Sequence, residues 1–202
     1  MPGTFSWTLI LFPVWGSFLI PHYVAYYIIL FDVLWFYKSA TFAISALISH
    51  VRLNASKKYD WLADAKKLPD FGRVHHVVVI PTYREPLHTL EKGVESIFTQ
   101  DMPKEQISVV LAFESREGKE ARLKAKILTH KYQGKFANLI TTFHPDTGGE
   151  VKGKSSNEAY AGKYARKILI DKQKRDINYM TATSKDADGI FHEKYLSCLT
   201  YN

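Results

Sequence analysis

Asp186 and Asp188 flank one small residue, Ala187, behind a short apolar stretch. On a turn, two carboxylates at this spacing can hold a hard divalent cation. Mg²⁺ takes few protein ligands and completes its shell with phosphate oxygens and water. Chance alone gives roughly two acid-x-acid triplets in 200 residues, so position has to decide the weight of this one. Lys152 and Lys154 lie in a Gly-rich loop before a helical stretch, where lysines and the free N–H groups of a helix start can neutralise phosphate. Glu85 and Glu114 each follow an apolar run closely and could accept hydrogen bonds from a nucleobase or ribose. His75 and His76 precede the centre of such a run and read as edge or packing residues, not ligands.

Four strands are needed to place these groups. His75–Ile80 is a continuous β-branched run, as in a strand buried on both faces of a parallel sheet. Pro86 can open a helix running to about Thr99. Ile107–Phe113 reads as the second strand, Glu117–Tyr132 as a charged helix, and Ala137–Phe143 as the third strand. A helix over Ser155–Ile170 and a weaker fourth strand, Ile177–Ala182, complete the series. Strands alternating with helices imply a mostly parallel sheet covered on both faces. In such sheets ligands bind beyond the carboxyl ends of the strands. The four ends carry Pro81–Glu85, Phe113–Ser115, Gly148–Asn157 and Asp186–Asp188, so acids and lysines collect on one edge.

Residues 1–50 hold one acid, Asp32, and one base, Lys38, so the net charge of +7 resides in the rest of the 202-residue chain. A basic soluble part fits nucleotide phosphates, an anionic membrane surface or nucleic acid, or else a solvated surface. A single cysteine, Cys198, excludes an intrachain disulfide. Ser6–Ile20 is apolar but short, rising ~22 Å against a ~30 Å hydrocarbon core, and Pro13 and Gly16 interrupt it. Tyr23–Ser49 is long enough to span and carries Tyr26, Tyr27, Trp35 and Tyr37 as interfacial anchors. No basic region precedes the first run, so a cleaved signal peptide is not expected. Asp32 within the second run would cost ~2.5 kcal/mol or more at mid-bilayer; it faces a polar neighbour or sits near an interface. Lys57, Lys58, Lys66 and Lys67 place the chain beyond residue 50 in the cytoplasm by the positive-inside rule. The expected division is a membrane anchor over 1–52, a polar and partly helical linker over 53–72, and an α/β domain over 73–202.

Gly148–Ser155 also satisfies the phosphate-loop pattern G-x-x-x-x-G-K-[ST] between a strand and a helix. Against it, His144–Thr147 separate the apolar strand from the first glycine. Thr183, Ser184 and Lys185 also precede Asp186, where an apolar run into an aspartate would be required. A P-loop nucleotide hydrolase therefore stands as an alternative, as does a non-catalytic, membrane-tethered nucleotide-sugar-binding module. No G-x-G-x-x-G fingerprint follows the first strand.

Taken together, Val77–Glu85, Lys152–Asn157 and Asp186–Asp188 resemble, in order and spacing, the motifs of family 2 glycosyltransferases. The resemblance covers about residues 75–196, and the membrane segments are similar to those of polysaccharide synthases of the cellulose and hyaluronan type. It implies a GT-A fold, Rossmann-like and here partial, preceded by one or two transmembrane helices. It implies that Thr82 and Glu85 line the nucleotide site and that Glu114 stands where the family has an aspartate touching the base. Lys152 would contact the diphosphate or donor sugar, with Asn157 at the matching spacing. Asp186 would approach the ribose or sugar and, with Asp188, the metal, Mg²⁺ or Mn²⁺. The implied partners are a nucleoside-diphosphate sugar, UDP-sugars favoured, a glycan or lipid acceptor and the membrane, with no nucleic acid. The implied activity is inverting, metal-dependent glycosyl transfer, with the catalytic base expected beyond Asn202 and this chain alone inactive.

Overall fold

The computed structural model describes residues 2–150 and 153–202, which divide into two compact units on either side of the Tyr59–Asp60 bond. Lys152, one of the expected phosphate ligands, lies outside the described residues.

The first unit is helical: α1 (Pro2–Ile10), α2 (Phe12–Leu19) and α3 (Pro21–Lys58). The chain breaks at Leu11, not within the next turns, because Pro13 sits in the first turn of α2, where its missing N–H is not needed. Gly16 lets α2 close on α3: a Cβ there would meet Phe12 at 2.8 Å and Val24 at 3.0 Å. The Phe12 and Tyr27 rings meet edge to face at 5.1 Å, and the Tyr27 hydroxyl donates to the Leu9 carbonyl at 3.1 Å. The helix α3 has 38 residues and is long and apolar enough to cross a membrane. At ~1.5 Å per residue it rises ~57 Å, well beyond a ~30 Å hydrocarbon core. It runs on past Ser49, where the apolar run ends, because no Gly or Pro lies between Pro21 and Lys58. Among the described residues it is the one helix of this kind; α1 and α2 are each too short to span.

The second unit is an α/β fold on a four-stranded, all-parallel sheet. Its elements are α4 (Trp61–Ala65), β1 (His75–Thr82), α5 (Leu87–Phe98), β2 (Ile107–Glu114), α6 (Lys119–Tyr132), β3 (Asn138–His144), α7 (Lys154–Arg166), β4 (Met180–Ser184) and α8 (Tyr195–Tyr201). The strand order is β3-β2-β1-β4. From β1 through β2 to β3 the chain steps in one direction, with α5 and α6 on one face. It then returns past β1 to β4. Right-handed crossovers place a helix on the opposite face when the direction reverses, and α7 packs there. The two faces have separate cores: Val78, Ile80, Leu111 and Phe113 with Leu90, Val94 and Leu128 on one side, and Val77, Val79, Val110 and Ala112 with Ala161, Ala165 and Leu169 on the other. Both central strands are buried throughout, which is why they are near-continuous apolar runs.

Three elements differ from expectation. The fourth strand lies three residues later than Ile177. Asp176 caps a single tight helical turn over Ile177–Tyr179 by accepting from Asn178 N at 3.0 Å, and only then does the chain pair with β1. The second long helix begins at Lys119, since Ser115–Glu117 form a short turn closed by Gly118 at φ 77°. The helix α7 starts at Lys154 and widens into a π-helical turn over Lys167–Lys172.

Candidate functional site at the switch point of the sheet

Between β1 and β4 the strand order reverses, and at the carboxyl ends of parallel α/β sheets such a switch point is where ligands bind. Thr82, Glu85, Glu114, Asn157, Asp186 and Asp188 all line one cleft of about 400 Å³ there, together with Tyr83, Arg116, Gly153 and Lys154. Every strand contributes, directly or through the loop that follows it.

Thr82 ends β1 and Asn157 lies one turn into α7. They are 4 % and 1 % exposed. The Asn157 Nδ2 donates to the Ala112 carbonyl at 2.7 Å, which fixes the amide, while its Oδ1 has no partner among the described residues. Thr82 Oγ1 has none either. Buried polar atoms are rarely left unpaired, because desolvating one without a hydrogen bond costs ~1–3 kcal/mol. Of the six such atoms among the described residues, these two belong to residues that line the cleft.

Glu114 ends β2 and is buried. Its Oε2 is 3.5 Å from Arg116 Nε and 3.4 Å from His144 Nδ1, and His144 Nε2 in turn lies 3.4 Å from Glu150 Oε2. The Thr147 hydroxyl donates to Glu150 at 2.7 Å and holds that carboxyl below its ordinary value. Arg116 also lies 4.0 Å over the Tyr83 ring.

The loop after β1 is strained. Arg84 has φ 62°, a left-handed conformation that costs a non-glycine residue about 1 kcal/mol or more. Glu117 compensates: one oxygen accepts from Arg84 N at 3.0 Å and the other from Lys124 at 2.7 Å, while Lys124 also donates to the Glu85 carbonyl at 2.8 Å. The strain and its clamp sit directly under Tyr83 and Glu85.

The Asp186–Asp188 turn is held from behind. Lys185 N continues the sheet by donating to the Val79 carbonyl at 2.9 Å. The Ala187 side chain is buried in the α5 face of the core, so that Asp186 and Asp188 project outward. Gly93 on α5 makes room: a Cβ there would lie 2.8 Å from the Ala187 carbonyl and 3.0 Å from Lys185 Nζ. Lys185 is itself buried, donates to the Gly93 carbonyl at 3.2 Å, and lies 5.5 Å over the Phe191 ring. Burial lowers its pKa to about 8, against the opposing pull of Asp188 and Asp186. Asp186 is ion-paired with Lys154, whose ammonium is also 3.6 Å from Glu158.

The metal question can be put to the ligand set. Asp186 and Asp188 offer hard oxygen donors, suited to Mg²⁺ or Mn²⁺. Among the described residues no group of three or more His, Cys, Asp or Glu side chains could hold an ion. Two carboxylates fit a cation whose remaining ligands are phosphate oxygens and water, and do not fit one caged by protein alone.

Sequence reasoning singles out the strand ends, Tyr83 among them without a role of its own, and assigns nothing to Arg116, Gly93 or Lys185. Arg116 stands two residues past a strand end, and that position is a signal that could have included it. Gly93 and Lys185 are 92 residues apart, and no local pattern joins them. Lys154, from the phosphate-loop pattern, opens α7 with its ammonium on Asp186, and the loop before it leaves the edge strand β3. Comparison with known proteins finds no matching family model and no matching curated protein. The fold and the cleft define the class at this level: an open, parallel α/β unit with an acid-rich cleft at its switch point, in a chain that also carries a helix long enough to span a membrane.

Proposed function

We propose that the α/β unit is the donor-binding part of an inverting, metal-dependent glycosyltransferase of the family 2, GT-A type, using a nucleoside-diphosphate sugar and tethered to a membrane by α3. The observation that carries the reading is the gathering of Thr82, Glu85, Glu114, Asn157, Asp186 and Asp188 in one cleft, with Thr82 Oγ1 and Asn157 Oδ1 buried and unpaired beside it. The resemblance of Val77–Glu85, Lys152–Asn157 and Asp186–Asp188 to that family supports it.

In this reading Glu114, pinned by Arg116 and His144, accepts from the N–H edge of the base, UDP being the favoured nucleotide. Thr82, Glu85 and Asn157 hydrogen-bond the nucleoside. Lys154 and Arg116, with Lys152, supply positive charge toward the diphosphate. Asp186 and Asp188 would hold Mg²⁺ or Mn²⁺. A bound divalent cation supplies stabilisation of the negative charge that grows on the leaving nucleoside diphosphate. The acceptor hydroxyl of a glycan or lipid attacks the anomeric carbon in line, losing its proton to a carboxylate base, so configuration inverts. The residues of this cleft act on the donor side of that reaction. Lys57 and Lys58, in the last turn of α3, put the α/β unit on the cytoplasmic side in this reading.

The test is calorimetry on the detergent-solubilised chain with Mn²⁺ present. UDP or a UDP-sugar should bind more tightly than ATP, and Asp188→Ala should remove the metal-dependent share. That share is about 10- to 100-fold, on the scale of a lost charge-assisted contact. Tight ATP binding that is lost on Lys154→Ala but indifferent to Asp188→Ala would replace this reading with the P-loop one.

A further inference from the structure

We infer that Lys154 is a built-in counter-cation for Asp186, and that the cleft therefore takes its divalent cation as a complex with a diphosphate, not as a free ion. The inference rests on the donor-site reading above and adds the order in which its ligands can enter.

The geometry is specific. Lys154 is the first residue of α7 and Asp186 the first residue of the acidic turn; both line the cleft, and their side chains are ion-paired. Asp186 is the carboxylate that any cation on this turn would share with Asp188. With one of its two carboxylates already neutralised, the turn offers a free divalent ion about half its formal charge. The entering ion would also meet an ammonium of like sign at close range. No further His, Cys, Asp or Glu side chain among the described residues completes a group of three that could offset this.

A diphosphate changes the balance. The Lys154 side chain is 51 % exposed, so its ammonium can leave Asp186 without opening the core. It already reaches a second carboxylate, Glu158, at 3.6 Å. A ligand bearing two or three negative charges in the cleft is the stronger partner for that ammonium. Its arrival moves Lys154 from Asp186 to the phosphates, frees Asp186 for the metal, and brings the oxygens that fill the metal's remaining positions. Metal and diphosphate then each raise the other's affinity by the same factor, as linkage requires.

Replacing Lys154 with a neutral side chain should split the two affinities in opposite directions, which simple damage to the site would not do. The measurements are Mn²⁺ alone, by water-proton relaxation enhancement, and UDP alone and inorganic pyrophosphate alone, by calorimetry, on the full solubilised chain. In Lys154→Met the affinity for Mn²⁺ alone should rise about three- to tenfold, the range for one exposed, screened charge. Affinity for UDP and for pyrophosphate should fall about tenfold, and the factor by which Mn²⁺ strengthens UDP binding should shrink. Lys154→Arg, which keeps the charge, should behave as the wild type. An Mn²⁺-alone affinity that is unchanged or lower in Lys154→Met overturns the inference. Failure of UDP to bind the wild type at all, while pyrophosphate binds, instead overturns the nucleotide-sugar reading and leaves the Lys154–Asp186 exchange standing.

Discussion

The two ends of the same sheet both bury polar side chains, and they treat them differently. At the amino end His75 Nε2 meets Ser108 Oγ at 2.8 Å, Asn138 donates to the same hydroxyl at 2.9 Å, and Gln173 donates to Asn138 at 2.7 Å. His76 is held between the hydroxyls of Thr181 at 2.6 Å and Thr200 at 2.8 Å, tying α8 to β1 and β4. Most of these side chains use one another as partners; at this end His75 Nδ1 and the neighbouring Gln106 Oε1 have none among the described residues. At the carboxyl end Thr82 Oγ1 and Asn157 Oδ1 have no partner among the described residues, the loop at Arg84 is strained, and the Asp186 carboxylate is paired with an exposed, displaceable lysine. A network whose members mostly pair with one another stabilises the fold and has little left to offer a ligand. An open one costs stability and is kept where something else completes it.

The difference can be broken first by acid. Burial lowers the pKa of His75 and His76 to about 4, with Arg175 and then His76 adding to the effect at His75. The unfolded chain binds protons at these side chains near the ordinary value of ~6.5 and the folded chain does not. Stability from the neutral histidines is therefore fully present above ~6.5 and is lost as pH falls toward 4. By pH 5 the loss is roughly 2 kcal/mol for each histidine. Urea unfolding between pH 7 and pH 5 should show it, and the His75→Gln, His76→Gln double variant should lose most of the slope. An unchanged slope would mean that the amino-end network is not what acid attacks. Binding of UDP with Mn²⁺ at pH 7 should be untouched by the pair of substitutions.

A smaller effect comes from the carboxyl end, at Gly93. An added methyl there meets the Ala187 backbone, which cannot yield cheaply. The overlap costs ~1–3 kcal/mol, against a helix-propensity gain of up to ~1 kcal/mol. Gly93→Ala should thus lose up to about 2 kcal/mol net and weaken metal-dependent UDP binding about tenfold by shifting the acidic turn. Gly162→Ala is the control: nothing lies within 4 Å of its added methyl, so it should be neutral or slightly stabilising and leave binding alone. Identical behaviour of the two variants would remove Gly93 from any role in holding the turn.

These contacts also show what the sequence could and could not convey. The strands β1 and β2 were legible because burial on both faces demands unbroken apolar runs, and the Asp186–Asp188 pair stood out because it follows a strand. The strand β4 was displaced because its signal is weak. Ile177 reads as the start of a strand yet is 61 % exposed in a helical turn, while the edge strand β4 is built of Met180, Thr181 and Thr183, which are only partly buried, and of Ala182 and Ser184, which are exposed. Gly93, Lys185 and the open Asn157 Oδ1 become meaningful only when elements far apart in the chain are folded together. The apolar run understates the length of α3, because it marks where the helix is apolar and not where its backbone hydrogen bonding must stop.

The smallest and most discriminating change is Thr82→Val. It keeps the branched shape that β1 favours and deletes one hydroxyl. If Thr82 Oγ1 were part of a closed network like that of His76, its removal would strand a partner and cost ~1–3 kcal/mol. It has no partner among the described residues, so the deletion relieves a desolvated group and stability should hold or rise by up to ~1 kcal/mol. The ligand that completes the hydroxyl should feel the loss instead. UDP affinity in the presence of Mn²⁺ should fall about five- to tenfold, the worth of one neutral hydrogen bond of ~1–1.5 kcal/mol. Unfolding and calorimetry on the one variant give both quantities. A drop in stability with unchanged UDP binding would put Thr82 with the amino-end residues as part of the scaffold, and would leave Asn157 alone as the open group of the cleft.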